Sequence, residues 1–146
     1  KQYKPGDFDI IWASPPCTQY SKAKSQGIRD IEGADKLVLK TLEIIDYFKP
    51  CIYFIENPQT GQLKNRPFMK DIPYIDVDYC MFNWYSRKRT RIWTNKKLES
   101  RLCDKTCGII KDNKHPSVSY LNIKGINRLD LRHSIPPNLI YYLFLE

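Results

Sequence analysis

Two short apolar runs stand near the start of the chain. Residues 8–12, FDIIW, are aromatic and β-branched with almost no polar break. Residues 51–58, CIYFIENP, form a second such run, which Asn57 and Pro58 interrupt at its carboxyl end. Continuous runs of this kind are typical of strands that are buried on both faces of a parallel sheet. We therefore predict a strand at each run.

The segment between these runs has the hydrophobic period of a helix. Residues 22–30 are polar and contain a glycine, which indicates a surface loop. From residue 31 the apolar positions recur at helical spacing until Pro50 stops the pattern: Ile31, Ala34, Leu37, Val38, Thr41, Leu42, Ile45 and Phe48. A strand, a helix and a second buried strand predict a βαβ unit with a right-handed crossover.

The remainder of the chain is less regular. Two more strands are predicted at residues 74–80 and 90–94, whereas residues 96–127 show little periodicity. Two prolines followed by NLIYYLFLE predict a closing helix. We divide the chain into a first part at 1–95, an irregular segment at 96–127 and a C-terminal part at 128–146 that returns to the first.

Composition limits the class of protein. The 146 residues are 42% apolar, which suffices for one globular unit. No window approaches the roughly 18–20 apolar residues of a membrane span, and the N-terminal residues lack the order of a signal peptide. Five cysteines, an odd number, indicate reduced thiols rather than a disulfide framework. The net charge of +8 favours a polyanionic partner.

Candidate catalytic residues lie where the first two predicted strands end. Cys17 follows two prolines at the end of the first strand, and Glu56 stands at the end of the second. The carboxyl ends of parallel strands meet at one edge of a sheet, where ligands bind. Arg89 and Arg91 are two residues apart, so on a strand they point to the same face. A buried cysteine more often only packs, but a thiol, a carboxyl group and a guanidinium together indicate covalent catalysis with acid assistance.

These residues resemble a known family. The run from Asp9 through Cys17 to Ser21 resembles the nucleophile motif of the cytosine-5 DNA methyltransferases, and residues 54–58, FIENP, resemble their Glu-Asn-Pro motif. Residues 87–93, RKRTRIW, are similar to their Gln-x-Arg-x-Arg motif, and residues 134–143 to their C-terminal motif. The four motifs stand in the family's order and span nearly the whole chain.

The resemblance implies a partial doubly wound, Rossmann-like α/β fold with a mostly parallel sheet and an antiparallel strand near 90–94. It implies that the Cys17 thiolate adds to C6 of cytosine, while Glu56 protonates or hydrogen-bonds N3. Arg91 would contact O2 of the base and hold the Glu56 carboxylate, with Arg89 close by. The target base would be flipped out of the DNA duplex.

The resemblance also implies S-adenosylmethionine as the cofactor and DNA as the partner. Pro15, Pro16 and Ser134 would lie on the cofactor side. Substrate contacts would come from five further residues: Ser14, Ser21, Asn57, Pro58 and Arg87. The protein would act in the cytoplasm, in a bacterial or viral context, or in the nucleus, and would not be secreted.

The chain departs from the family pattern at its start. The glycine-rich turn that receives the cofactor does not precede Phe8, and residue 1 is Lys, so we expect a piece of a longer chain without the first half of the sheet. Arg132 and His133 stand where the family has Gly and Asn. The target-recognition region would be the short segment at 96–127.

Several alternatives remain open. A Pro-Pro pair at the end of a strand also occurs in amino methyltransferases acting on cytosine N4 or adenine N6, which need no thiol. An RNA cytosine-5 methyltransferase and a non-catalytic nucleic-acid-binding remnant are further alternatives. Cys103, Cys107 and His115 suggest a zinc site, but no fourth ligand is identifiable from the sequence, and ordinary packing without a metal is the preferred interpretation.

Overall fold

The computed structural model describes residues 2–22, 27–117, 121 and 123–146. The chain forms two compact units, one of residues 1–75 and 90–97, the other of residues 76–89 and 98–146. The strands are β1 (Ile10–Ala13), β2 (Ile52–Pro58), β3 (Tyr74–Asp78) and β4 (Arg89–Thr94), and the helices are α1 (Ile31–Phe48), α2 (Arg128–His133) and α3 (Pro137–Leu145). The predicted boundaries at 95 and 127 stay a prediction.

The strands form one mixed sheet in the order β1-β2-β4-β3. β1 and β2 are parallel, with Ala13 opposite Ile55 at the end of the pairing. β2 and β4 are antiparallel, which confirms the prediction for residues 90–94. The α/β class is therefore confirmed, with a sheet that is partly parallel. Among the described residues, β1 pairs only with β2, so its second edge lies outside the sheet.

Helix α1 occupies the residues that the hydrophobic period predicts. The side chain of Asp30 caps its first turn by accepting a hydrogen bond from the Gly33 amide at 2.8 Å. The helix ends at Phe48, and its C-terminal cap, Lys49, adopts the left-handed conformation (φ 49°) just before Pro50. The buried face of α1 packs against the first unit's core, which contains Tyr20, Ala34, Val38, Ile55, Leu63, Met69 and Trp93.

Contacts both between and within its two chain segments hold the second unit together. Val77 of β3 forms an isolated parallel bridge with Arg101, so the backbone pairing extends from β3 to the segment around residue 101. The Tyr142 hydroxyl on α3 donates to the Glu99 carbonyl at 2.7 Å, and the Arg101 guanidinium lies 3.9 Å from the centre of the Tyr142 ring. The closing helix predicted after the two prolines is thus confirmed and is packed within this unit.

Two further expectations concern the whole chain. All five cysteines are free, in agreement with the expectation of reduced thiols. Within the described residues, none of the helices has the length and apolar character needed to cross a membrane. The predicted surface loop at 22–30 includes residues 23–26, which lie outside the described residues.

Candidate active site

The loop after β1 presents Cys17 near the surface. Cys17 is half-buried and lies four residues beyond the last residue of β1. Pro15 and Pro16 fix their own φ angles and contribute no backbone N–H, so this loop has little freedom. The Tyr20 amide donates to the Cys17 carbonyl at 3.0 Å and closes a turn directly after the cysteine.

A buried tyrosine fixes this loop against α1. Tyr20 is fully buried, and its hydroxyl donates to the Asp35 carboxylate at 2.8 Å. Asp35 also accepts from Arg66, and the Gln62 amide donates to the Tyr20 carbonyl at 2.9 Å. Burial, together with the hydrogen bond to Asp35, raises the pKa of Tyr20 well above its usual value. The hydroxyl therefore remains a donor at neutral pH, and the position of the Cys17 loop does not depend on a titration there.

The end of β2 carries the carboxyl group. Glu56 is only 7% exposed and Asn57 only 1%. The Asn57 Nδ2 donates to the Pro15 carbonyl at 2.8 Å, which ties the end of β2 to the Cys17 loop. The structure thus brings the two predicted motifs to one place, which we call the strand-end rim: residues 14–17 and 56–58.

Unlike Nδ2, the amide oxygen Oδ1 of Asn57 is buried without a hydrogen-bond partner among the described residues. An unpaired buried acceptor costs about 1–3 kcal/mol. An acceptor of this kind can be satisfied by a polar group of a ligand that enters the rim.

Arg91 reaches the rim from β4. It is the cross-strand partner of Asn57, while Ile92 is opposite Glu56. Its half-buried side chain places the guanidinium 3.5 Å from the centre of the Tyr74 ring, at the distance of a cation–π contact. Arg91 is therefore paired with the end of β2, while its predicted contacts with O2 of a base and with the Glu56 carboxylate stay predictions.

Arg89 has a partner that the sequence did not indicate. Its Nε and a terminal nitrogen donate to both oxygens of Asp78 at 2.9 and 2.8 Å, within the second unit. Asp78 is fully buried and also accepts from the Cys103 amide at 2.9 Å. Although burial alone would raise the pKa of Asp78, these hydrogen bonds hold it below its usual value. The Arg89 guanidinium thus has a structural contact, and its predicted place beside Cys17 stays a prediction.

The predicted substrate contacts are distributed over both units. Ser14 is exposed and its hydroxyl accepts from the Trp12 indole at 2.9 Å, while the Ser21 carbonyl accepts from Arg29 at 2.7 Å. Pro58 is the last residue of β2. Arg87 is exposed and belongs to the second unit, where its carbonyl accepts from the Tyr79 amide.

The predicted cofactor contacts of Pro15, Pro16 and Ser134 stay a prediction. The Pro15 carbonyl already accepts from Asn57, and neither Pro15 nor Pro16 has an N–H to offer. Ser134 is the C-terminal cap of α2, and its hydroxyl donates to the Asp130 carbonyl at 2.6 Å. The Pro15 carbonyl and the Ser134 hydroxyl thus each form one hydrogen bond within the chain.

The comparisons with known proteins agree with the motifs at the rim. Residues 1–71, which include Cys17 and Glu56, match the family model C-5 cytosine-specific DNA methylase. Over these residues the chain is similar to the cytosine-5 DNA methyltransferase family. It is 38% identical over 108 residues to a probable DNA (cytosine-5)-methyltransferase of Frog virus 3 (isolate Goorha). That alignment covers 65% of this chain and 50% of the viral protein, so this chain spans about half the length of that relative.

Proposed function

We propose that this chain supplies the nucleophile and the acid of a DNA cytosine-5 methyltransferase. The observation that carries the proposal is the hydrogen bond from Asn57 Nδ2 to the Pro15 carbonyl at 2.8 Å. It joins the loop of Cys17 to the strand end of Glu56, so a thiol and a carboxyl group share one rim. Covalent catalysis on a pyrimidine requires these two groups.

The chemistry follows from the weak nucleophilicity of C5 in cytosine. The Cys17 thiolate forms a bond to C6, and the electron pair of the C5–C6 double bond moves into the ring. Glu56 donates a proton to N3 as negative charge develops there. The adduct is an enamine whose C5 can accept a methyl group. After methyl transfer, a base such as water removes the C5 proton, and the electron pair of that C–H bond re-forms the C5–C6 double bond. The sulfur–C6 bond breaks to release the thiolate, and N3 returns its proton to Glu56.

S-adenosylmethionine supplies the methyl group in this family. Because the glycine-rich turn that the resemblance implies for the donor pocket is not found before Phe8, this chain is proposed to supply the nucleophile and the acid rather than the donor pocket. The substrate is proposed to be DNA with the target base flipped out of the stack, since C6 is inaccessible within a duplex. The net charge of +8 suits binding to a phosphate backbone.

The test of this reaction class is covalent trapping by DNA that contains 5-fluorocytosine. Fluorine at C5 cannot leave as a proton, so the enzyme stays attached after methyl transfer. We expect the protein translated from the whole reading frame to form an adduct that survives denaturing electrophoresis when the methyl donor is present. Base methylation without an adduct would instead indicate an amino methyltransferase, and an adduct formed on RNA but not DNA would change the substrate.

The separation of donor site and nucleophile gives a second prediction. We expect calorimetry on residues 1–146 to show no measurable binding of S-adenosylmethionine, because the reacting methyl group must be held about 3–3.5 Å from C5 and the glycine-rich turn that the resemblance implies for the cofactor is not found before Phe8. The protein from the whole reading frame is the matched control and should bind. Micromolar binding to residues 1–146 would contradict the assignment.

A further inference from the structure

A second cluster of reactive side chains lies away from the rim, within the second unit. It consists of Cys80, Cys103, Cys107 and His115, whose ligand atoms all lie within 4.8 Å of one another. The His115 Nε2 is 3.6, 3.3 and 3.4 Å from the sulfur atoms of Cys80, Cys103 and Cys107. Cys80 is the ligand that the sequence did not identify, because it lies 23 residues before Cys103 (103 − 80).

These distances match a tetrahedral metal site. A zinc ion bonds sulfur at about 2.3 Å and imidazole nitrogen at about 2.0–2.1 Å, so a tetrahedron separates nitrogen from sulfur by about 3.6 Å. The three observed nitrogen–sulfur separations lie within a few tenths of an ångström of that value. Together with the 4.8 Å limit on every pair of ligand atoms, these separations are compatible with one ion bound by all four.

Hydrogen bonding alone does not account for the cluster. An imidazole nitrogen carries either one proton or one lone pair, so it can form one good hydrogen bond at a time. Here the three sulfur atoms surround the same nitrogen of His115 at nearly equal distances. A shared cation explains an arrangement that a single thiol–imidazole pair does not.

The local backbone is shaped to deliver these ligands. The Lys105 amide donates to the Cys103 sulfur at 3.3 Å, a contact that favours a thiolate. Residues 111–114 form a tight hairpin turn in which Asp112 and Asn113 both have positive φ, at 48° and 61°. Two such residues are the requirement of a type I′ turn. The turn places His115 directly after it, facing back toward the cysteines.

The buried carboxylate of Asp78 lies beside the segment that carries the fourth ligand, Cys80. Asp78 accepts from the Cys103 amide, and it precedes by two residues the cysteine at position 80. The short 3₁₀ helix at Tyr79–Phe82 carries Cys80, which is buried. The two chain segments that make up the second unit thus meet at the sulfur atoms.

We propose that Cys80, Cys103, Cys107 and His115 bind one zinc ion as a structural site. Three thiolates and one imidazole form a closed four-ligand set with no position for substrate, which is typical of structural rather than catalytic zinc. Thiolates also favour zinc over magnesium or calcium, which prefer oxygen ligands. The ion would cross-link residues 76–89 to residues 98–117 and stabilise the second unit.

The first experiment measures zinc in the chain of residues 1–146 purified under reducing conditions. We expect about one zinc per chain by elemental mass spectrometry. Cys103→Ser and Cys80→Ser should each weaken zinc binding by at least about 100-fold in competition with a chromophoric chelator, since even outer-shell changes cost 10–100-fold. Cys51→Ser is the matched control, because Cys51 is exposed, belongs to the first unit and lies outside the cluster.

The second experiment uses cobalt in the wild-type chain and so does not depend on a variant that folds. Tetrahedral Co²⁺ with thiolate ligands should show intense visible bands and a sulfur-to-metal charge-transfer band. In Cys80→Ser that band should fall by about one third, because one of three thiolates is lost. A folded wild-type chain that is free of metal and gives no thiolate spectrum would overturn the proposal. Equal loss of zinc in the Cys51→Ser control would do the same, since it would indicate non-specific surface binding.

Discussion

Cys17→Ser is expected to abolish the covalent adduct with 5-fluorocytosine DNA. The serine hydroxyl is a much weaker nucleophile than a thiolate, and the rim offers it no identified general base. The substitution changes one atom on a half-buried loop residue whose carbonyl, rather than its sulfur, closes the following turn. We therefore expect DNA affinity and thermal stability to stay close to those of the parent protein while adduct formation is lost.

The matched control is Cys51→Ser, which removes an exposed thiol from the same unit. It should form the adduct in the same yield as the parent protein. Denaturing electrophoresis with labelled DNA, followed by mass spectrometry of the attached peptide, measures both variants. An adduct of parental yield in Cys17→Ser would exclude Cys17 as the nucleophile and direct attention to another cysteine.

Glu56→Gln is expected to lower turnover by about 10²- to 10⁴-fold, the usual contribution of a general acid or base. Glutamine keeps the size and one hydrogen-bonding oxygen but has no proton to donate to N3. Because Glu56 is buried at the end of β2, the isosteric change should disturb packing little. Single-turnover methylation and DNA binding by fluorescence anisotropy should separate a loss in rate from a loss in affinity.

Glu43→Gln serves as the control for the removal of a carboxylate. Glu43 is on the exposed side of α1, where it pairs with Lys40 at the surface, and such pairs contribute little. Its turnover should equal that of the parent. If Glu56→Gln also kept parental turnover, the acid would have to be another group, and the proposed role of this strand end would be wrong.

The sequence predicted the elements whose hydrophobic pattern is sustained over many consecutive residues. Helix α1 begins at Ile31 and ends at Phe48, as the spacing indicates. Strand β1 starts two residues later than predicted, at Ile10. The reason is that Phe8 packs on the Phe48 ring, 5.0 Å between centres, and so its apolar character serves a contact outside the sheet.

The features that the sequence did not reveal depend on distant residues. The partner of Arg89 is Asp78, and a buried aspartate within an apolar run gives no local sign of its partner. Cys80 reads as a core residue at the end of a strand, and only the fold brings it to His115. The Asp112-Asn113 pair was a usable signal, because two residues that tolerate positive φ indicate a tight turn just before a candidate ligand.

The position of β1 at the end of the sheet has a consequence for how this chain behaves in solution. Its outer backbone groups face away from β2, and Ile10 and Phe8 beside them are 43% and 38% exposed. An open edge of this kind is a template on which another extended segment can add by backbone hydrogen bonding. The strand that leads into the Cys17 loop can therefore accept a further strand. An extended segment added there would shield the edge, and two copies of this chain at high concentration would compete for it.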